Sequence, residues 1–166
     1  MLAAHEMFAF MSPALAREIV DQLHTGERNA YRATLHAVAD LRKVRPVFLE
    51  RKPRADQYAA MIESLSRPKL ELNAIATLQT WLMKSQPALL ADFLDALEIK
   101  HDQGAVDDLP ETMDDAKLTA AIEAVLAKHP AEKVALYLRA FNDLSKANWK
   151  NLGEKLESDP RLQLGG

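Results

Sequence analysis

The chain has 166 residues, of which 48% are hydrophobic and 27% charged, and its formal net charge is −3. These values are ordinary for a globular protein, and they exclude extensive disorder and a polyanionic partner for the molecule as a whole. Cysteine is absent, which excludes disulfides, thiolate zinc sites and thiol nucleophiles. No window approaches the roughly 20 apolar residues of a membrane helix, and the start lacks a basic signal-peptide region. We therefore predict a cytoplasmic protein without membrane contact.

Prolines and glycines divide the chain into segments that show the apolar period of amphipathic helices. Ser12 and Pro13 form an N-cap followed by proline at the first helical position, and Gly26 ends that helix. The last residues are expected to fray. The segments predicted to be helical are 2–10, 13–26, 29–41, 53–65, 68–82, 85–97, 115–128, 130–141 and 147–157. The fold class is therefore an all-α, single-domain bundle of about eight to nine helices over residues 1–166.

The apolar stripes of these segments predict the core. In the segment that Pro68 opens, Leu72, Ile75, Leu78 and Leu82 share one face. Six residues of the later segments are predicted to be buried: Leu89, Phe93, Leu94, Val125, Leu138 and Phe141. The aromatic residues at core spacing are interpreted as packing groups rather than as a ligand pocket: Tyr58, Trp81, Phe93, Tyr137, Phe141 and Trp149.

Two stretches of the chain are similar to two later ones. Residues 12–23 read like residues 85–97, and residues 55–62 read like residues 131–138, in the same order. This predicts repeat halves at 10–66 and 83–144, each of three to four helices, packed about a pseudo-twofold or as solenoid units. The alternative is that capped amphipathic helices share these features without duplication.

The segment 42–54 is strongly basic. Its six basic side chains face a single acidic one, Glu50: Arg42, Lys43, Arg45, Arg51, Lys52 and Arg54. Such a cluster is able to neutralise phosphates, and Phe48 to stack on a base. Two prolines argue against a helix-turn-helix. The alternative interpretation is a solvated connector in which Val47, Phe48 and Leu49 pack into the core.

The segment 92–115 is strongly acidic, with nine carboxylates against Lys100. Its spacing does not match a calcium loop, which needs alternating oxygen ligands and a central glycine. Asp114 and Asp115 stand where acids favour a helix start. Asp107, Asp108 and Glu111 are left as candidate interaction residues.

Glu98 and His101 have the i, i+3 spacing of carboxylate-bridged metal bundles, and they are weak candidates for metal ligands. Asp21 and His24 repeat the spacing, and Glu6 and Glu71 are loose candidates for the further carboxylates. Both pairs fall in a last helical turn, where the macrodipole alone favours histidine. We therefore predict no metal and no cofactor.

The sequence does not reveal a catalytic motif, and it does not fix a function. His36 with Asp40 is interpreted as a surface pair and His129 as a turn residue. The favoured hypothesis is a non-enzymatic helical module that binds another protein, a second copy included, through the two charged segments. The alternatives are a nucleic-acid-associated protein that uses 42–54, and an enzyme or metal-binding bundle that uses 98–115.

Overall fold

The computed structural model describes residues 1–165, and their regular structure is helical. Helices make up 73% of it, and the one β-type pairing among these residues is an isolated bridge between Asp102 and Ala105. The all-α prediction is confirmed. The α-helices are α1 (Ala4–Phe10), α2 (Pro13–Gly26), α3 (Arg28–Arg42), α4 (Pro46–Glu50), α5 (Arg54–Leu65), α6 (Glu71–Ser85), α7 (Pro87–Ala96), α8 (Asp115–Lys128), α9 (Ala131–Asp143) and α10 (Lys150–Ser158). Two 3₁₀ turns lie at Pro68–Leu70 and Pro160–Leu162.

Helix α4 was not predicted from the sequence. It lies inside the basic segment 42–54, so residues 1–165 hold ten α-helices where eight or nine were expected. Pro46 occupies its first turn, where a fixed φ favours the helix and the missing N–H costs nothing. Pro53 ends the connection, and α5 begins at the next residue. The two prolines therefore bracket one helical turn rather than an irregular connector.

Helix α6 buries Leu78 and Leu82 as predicted, but it leaves Leu72 in solvent. Leu72 is 80% exposed, so the prediction that it shares the face of Leu78 and Leu82 is wrong. Pro68 opens a 3₁₀ turn, and α6 itself begins only at Glu71. Its buried positions follow the helical period at Ala74, Thr77, Leu78, Trp81 and Leu82. Leu72 lies two residues before Ala74, which places it about 200° around the helix.

The chain divides into two compact units. We call Ala3–Trp81 the N-terminal unit, and the residues from Leu82 onward, with Met1 and Leu2, the C-terminal unit. The division falls just before 83–144, the predicted second half. The duplication itself stays a prediction.

The N-terminal unit is built on three mutually packed helices, α2, α3 and α5, and α1 packs on α5. Ser12 caps α2 by accepting a hydrogen bond from the Leu15 N–H at 3.2 Å. The apolar stripes of the three helices are buried between them: Ile19, Leu23, Leu35, Val38, Met61 and Leu65. This core positions the basic segment, because the segment connects α3 to α5.

The C-terminal unit packs α7 against α8 and buries most of α9, including all of Val134–Asn142. Aromatic rings of α7 and α9 meet edge to face, with 5.4 Å between the centroids of Phe93 and Phe141. Trp149 adds a ring 5.2 Å from Phe141. The six residues predicted to form this core are all buried, as are the six aromatic residues at core spacing. These two predictions are confirmed.

Arg139 is a buried charge in the middle of α9, with only 4% of the residue exposed. Its Nη2 donates hydrogen bonds to the Leu156 carbonyl at 2.9 Å and to the Leu162 carbonyl at 3.2 Å. The same nitrogen lies 3.2 Å from the side-chain oxygen of Gln163. The 3₁₀ turn that follows α10 is therefore fastened to the core, and Leu162 is buried instead of frayed as expected.

Truncation of Phe93 tests the aromatic core. We expect Phe93→Ala to lower the free energy of unfolding by about 3–5 kcal/mol, through lost burial and the cavity that remains. Urea unfolding followed by circular dichroism measures this loss. Phe10→Ala is the matched control, because Phe10 is 56% exposed and its truncation should cost far less. If both variants lost the same free energy of unfolding, the assignment of Phe93 to the core would be wrong.

Candidate functional site

The basic segment follows a fixed path between α3 and α5. Lys43 ends α3 in the left-handed conformation, with φ of 58°, and its N–H donates to the Asp40 carbonyl. After α4, the side-chain nitrogen of Gln57 donates to the Glu50 carbonyl at 3.1 Å and to the Lys52 carbonyl at 2.9 Å. The first bond satisfies the last carbonyl of α4, and the second holds the backbone two residues beyond the helix.

Only one of the three consecutive apolar residues of α4 reaches the core. Leu49 is buried, whereas Val47 is 44% exposed and Phe48 is 53% exposed. Neighbouring residues of a helix point about 100° apart, and this turn directs Leu49 into the core and leaves the other two side chains partly in solvent. The interpretation that all three pack into the core is therefore wrong for Val47 and Phe48.

A groove of about 650 Å³ opens beside Phe48. We call it the basic groove, because apolar side chains line it and basic ones surround them: Val44, Arg45, Val47, Phe48, Arg51, Lys52 and Pro53. The Lys52 ammonium lies 4.8 Å from the centre of the Phe48 ring, within cation–π distance. Arg45 and Arg51 are exposed, and neither forms an ion pair within the described chain.

The other three basic residues of the segment lie elsewhere. Arg42 pairs with Glu63 at 2.8 Å and also donates to the Ser64 hydroxyl, so it ties α3 to α5. Lys43 is exposed at the end of α3. Arg54 begins α5 and acts electrostatically on His24. The six predicted residues are therefore not one patch, and the structure brings only Arg45, Arg51 and Lys52 together at the groove.

A histidine and two tyrosines pack together beside the segment. The His24 ring lies edge to face with Tyr31 at 4.7 Å and with Tyr58 at 6.0 Å. Its Nδ1 is buried without a hydrogen-bond partner in the described chain. Tyr31 donates to the Gln57 side chain at 2.7 Å, and Tyr58 donates to Asp21 at 2.9 Å. This cluster therefore supports Gln57, the residue that holds the end of α4.

The electrostatics of this cluster favour neutral His24. Burial lowers the pKa of His24, Arg54 and Arg28 lower it further, and Asp21 acts in the opposite direction. Burial, together with the hydrogen bond to Asp21, raises the pKa of Tyr58 to about 12. Sequence analysis noted Asp21 and His24 only as a metal-ligand spacing. The sequence feature that indicates this cluster is the occurrence of two tyrosines and one histidine on three neighbouring helices.

Most carboxylates of the acidic segment are engaged within the C-terminal unit. Asp92 lies 2.7 Å from His129, and Asp115 lies 3.1 Å from Lys155. Asp114 caps α8 by accepting from the Lys117 N–H at 2.9 Å, as its position predicts. His129 is the residue that ends α8, in agreement with its interpretation as a turn residue.

Glu98 and His101 do not lie on one helical face. Helix α7 ends at Ala96, and Glu98 has a left-handed φ of 57° and pairs with Lys117 at 2.7 Å. His101 contacts Asp95 at 2.7 Å through Nε2 and accepts from the Gly104 N–H through Nδ1. Both ring nitrogens are thus engaged. No group of three or more His, Asp or Glu side chains within residues 1–165 is arranged to hold a metal ion.

The remaining carboxylates of the metal hypothesis are also engaged in the N-terminal unit. Glu71 accepts hydrogen bonds from the backbone of Ala4 and His5 and from the His5 ring at 2.7 Å. Burial alone would raise the pKa of Glu71, but these bonds outweigh it and lower the pKa. Glu6 accepts from the Ala3 N–H, at the start of α1. His36 contacts Glu50 at 3.3 Å rather than Asp40, so the predicted surface pair has a different partner.

Four acids of this segment remain exposed without an ion pair among the residues that the structure describes: Asp102, Asp107, Asp108 and Glu111. They lie on the acidic loop, defined here as residues 102–115. Two side chains at the start of α10 hold this loop in place. The Trp149 side chain donates a hydrogen bond to the Pro110 carbonyl at 2.8 Å, and the Asn151 side chain donates one to the Met113 carbonyl at 2.9 Å. The three acids that were singled out from the sequence are thus displayed on a fixed loop.

His101 and Asp107 do not line the pocket at Glu111. Glu111 lines a shallow pocket with Met113, Trp149 and Lys150. No described helix has the length and apolarity to cross a membrane.

In comparisons with protein-family models, curated proteins and solved structures, nothing matches the chain.

The neutral state of His24 predicts a pH-dependent stability. Because folding lowers its pKa, the unfolded chain binds the proton more tightly, so the free energy of unfolding should fall as the pH drops below about 6.5. We expect His24→Phe to reduce this slope, as measured by urea unfolding between pH 5 and 7.5.

His36→Phe is the matched control for this prediction. His36 is exposed and lies outside the tyrosine cluster, so its replacement should leave the His24 contribution in place. A His24→Phe variant with the same slope as wild type would contradict the assignment.

Proposed function

We propose that this chain is a non-enzymatic protein-interaction module, and that its basic groove binds an acidic segment that also carries apolar side chains. The observation that supports this most is the exposure of Phe48, 53%, on a helical turn whose neighbours Arg45 and Arg51 have no ion-pair partner in the described residues. Aromatic and arginine side chains are the ones most often found at the energetic centre of protein interfaces.

The apolar lining argues for a protein partner rather than a nucleic acid. Val44, Val47 and Pro53 offer aliphatic surface, which matches apolar side chains better than phosphates. One exposed ring, with the Lys52 ammonium beside it, is a small stacking platform. The basic side chains around the groove would steer an acidic partner towards it and fix its register.

The histidines favour a binding role over chemistry. Four of them each contact one carboxylate, and these pairs lie on different elements: His5 with Glu71, His36 with Glu50, His101 with Asp95, and His129 with Asp92. No third acid or histidine joins them within residues 1–165 in a metal-binding arrangement. Each pair instead joins two segments of the chain.

A peptide-binding experiment tests the proposal. We expect a labelled 12-residue peptide of alternating Asp and Leu to bind, and its affinity to fall as salt screens the exposed charges. Phe48→Ser should weaken binding at least tenfold, about 1.4 kcal/mol, because the peptide loses its apolar contact. Fluorescence anisotropy at low and at high salt measures both effects.

Two controls make this test specific. Phe10→Ser removes a ring of similar exposure from the same unit and should leave the affinity unchanged. A peptide with Ser in place of Leu keeps the charge and should bind more weakly. If Phe48→Ser binds the peptide as wild type does, the groove is not the site. If a 12-nucleotide oligothymidine binds through Phe48 more tightly than the peptide, the nucleic-acid alternative replaces the proposal.

A further inference from the structure

We infer that the occupant of the basic groove is the acidic loop of a second copy of this chain, so that the protein associates with itself. This rests on the proposed function and names the partner of the same site. The groove presents three basic side chains, Arg45, Arg51 and Lys52. The loop presents four exposed acids without an ion pair in the described chain, Asp102, Asp107, Asp108 and Glu111. The two surfaces therefore carry opposite charges.

The groove and the loop each keep charged side chains that are not paired locally. Asp92, Asp95, Glu98 and Asp115 all have a partner near them, and Asp114 caps a helix. Arg42 is likewise engaged with Glu63. On the groove and on the loop, the charges that remain without an ion pair in the described chain are opposite in sign. A second copy supplies to each surface the charges that it lacks.

The loop also carries the apolar groups that the groove requires. Val106 and Leu109 flank Asp107 and Asp108, and both are half-buried. An acidic stretch with apolar residues at its edges matches the groove in composition, since Val44, Val47 and Phe48 provide apolar surface between basic groups. Such a match combines apolar burial with electrostatic register.

Both surfaces are fixed before they meet. Gln57 holds the end of α4, and Trp149 and Asn151 hold the loop. Gly104 tightens the loop further, because its φ is +92° and an added Cβ would stand 2.8 Å from the Leu90 side chain. Association between preformed surfaces loses less conformational entropy than binding of a free segment.

A charge exchange between two variants tests the inference. The groove variant carries Arg45→Glu, Arg51→Glu and Lys52→Glu, and the loop variant carries Asp107→Lys, Asp108→Lys and Glu111→Lys. Each variant alone brings like charges together, so we expect its self-association to weaken at least tenfold. An equimolar mixture restores opposite charges at both contacts, so the mixed species should form and should dissociate as salt rises. Analytical ultracentrifugation over a range of concentrations measures all three samples.

The controls separate charge effects from misfolding. Arg17→Glu, Arg32→Glu and Lys69→Glu together make the same charge change at exposed positions of the N-terminal unit, outside the groove. This variant should associate as wild type does. Circular dichroism and urea unfolding establish that each variant keeps its fold, and recovery in the mixture is itself possible only for folded chains.

Two results would overturn the inference. One is a wild-type protein that stays monomeric up to millimolar concentration. The other is an association that neither reversal weakens, which would assign the contact to an apolar surface elsewhere. In either case, binding of the Asp–Leu peptide that depends on Phe48 would still support the groove as a protein-binding site. Loss of that peptide binding, by contrast, would remove the proposed function itself.

Discussion

The burial of Leu49 is the constraint on which the candidate site depends. Helix α4 is a single turn between two prolines, and it is anchored by one side chain in the core and by Gln57 at its end. With Leu49 inside, the helical geometry turns Phe48 and Val47 outward. Phe48 is therefore exposed among basic side chains, because its neighbour Leu49 is the residue that packs into the core.

The support behind this turn reaches into the three-helix core. Tyr31 donates to Gln57, and the same ring packs against His24, whose Nδ1 is buried without a partner within residues 1–165. A neutral histidine suits this position, since a charged one would need a hydrogen bond that the cluster does not offer. His24 is therefore connected to the end of α4 through two side chains, Tyr31 and Gln57.

The sequence predicted what depends on local chemistry. Caps such as Ser12 and Asp114, and the buried stripe that includes Phe93, follow from spacing alone. It did not predict which charged residues find partners, because Glu98 meets Lys117 only after the chain has turned through a left-handed residue beyond α7. The prediction for Leu72 was wrong because this residue lies about 200° around α6 from the buried Ala74.

Arg139 gives the end of the chain an importance that its position does not suggest. A guanidinium in the interior uses the carbonyls of Leu156 and Leu162 as acceptors. A protease cut or a shortened expression product that lacks Leu162 would leave this cation in an apolar interior with fewer acceptors, which is among the most damaging defects a core can have. Purification tags therefore belong after Gln163. The 3₁₀ turn Pro160–Leu162 stabilises α9, because the Leu162 carbonyl accepts a hydrogen bond from Arg139.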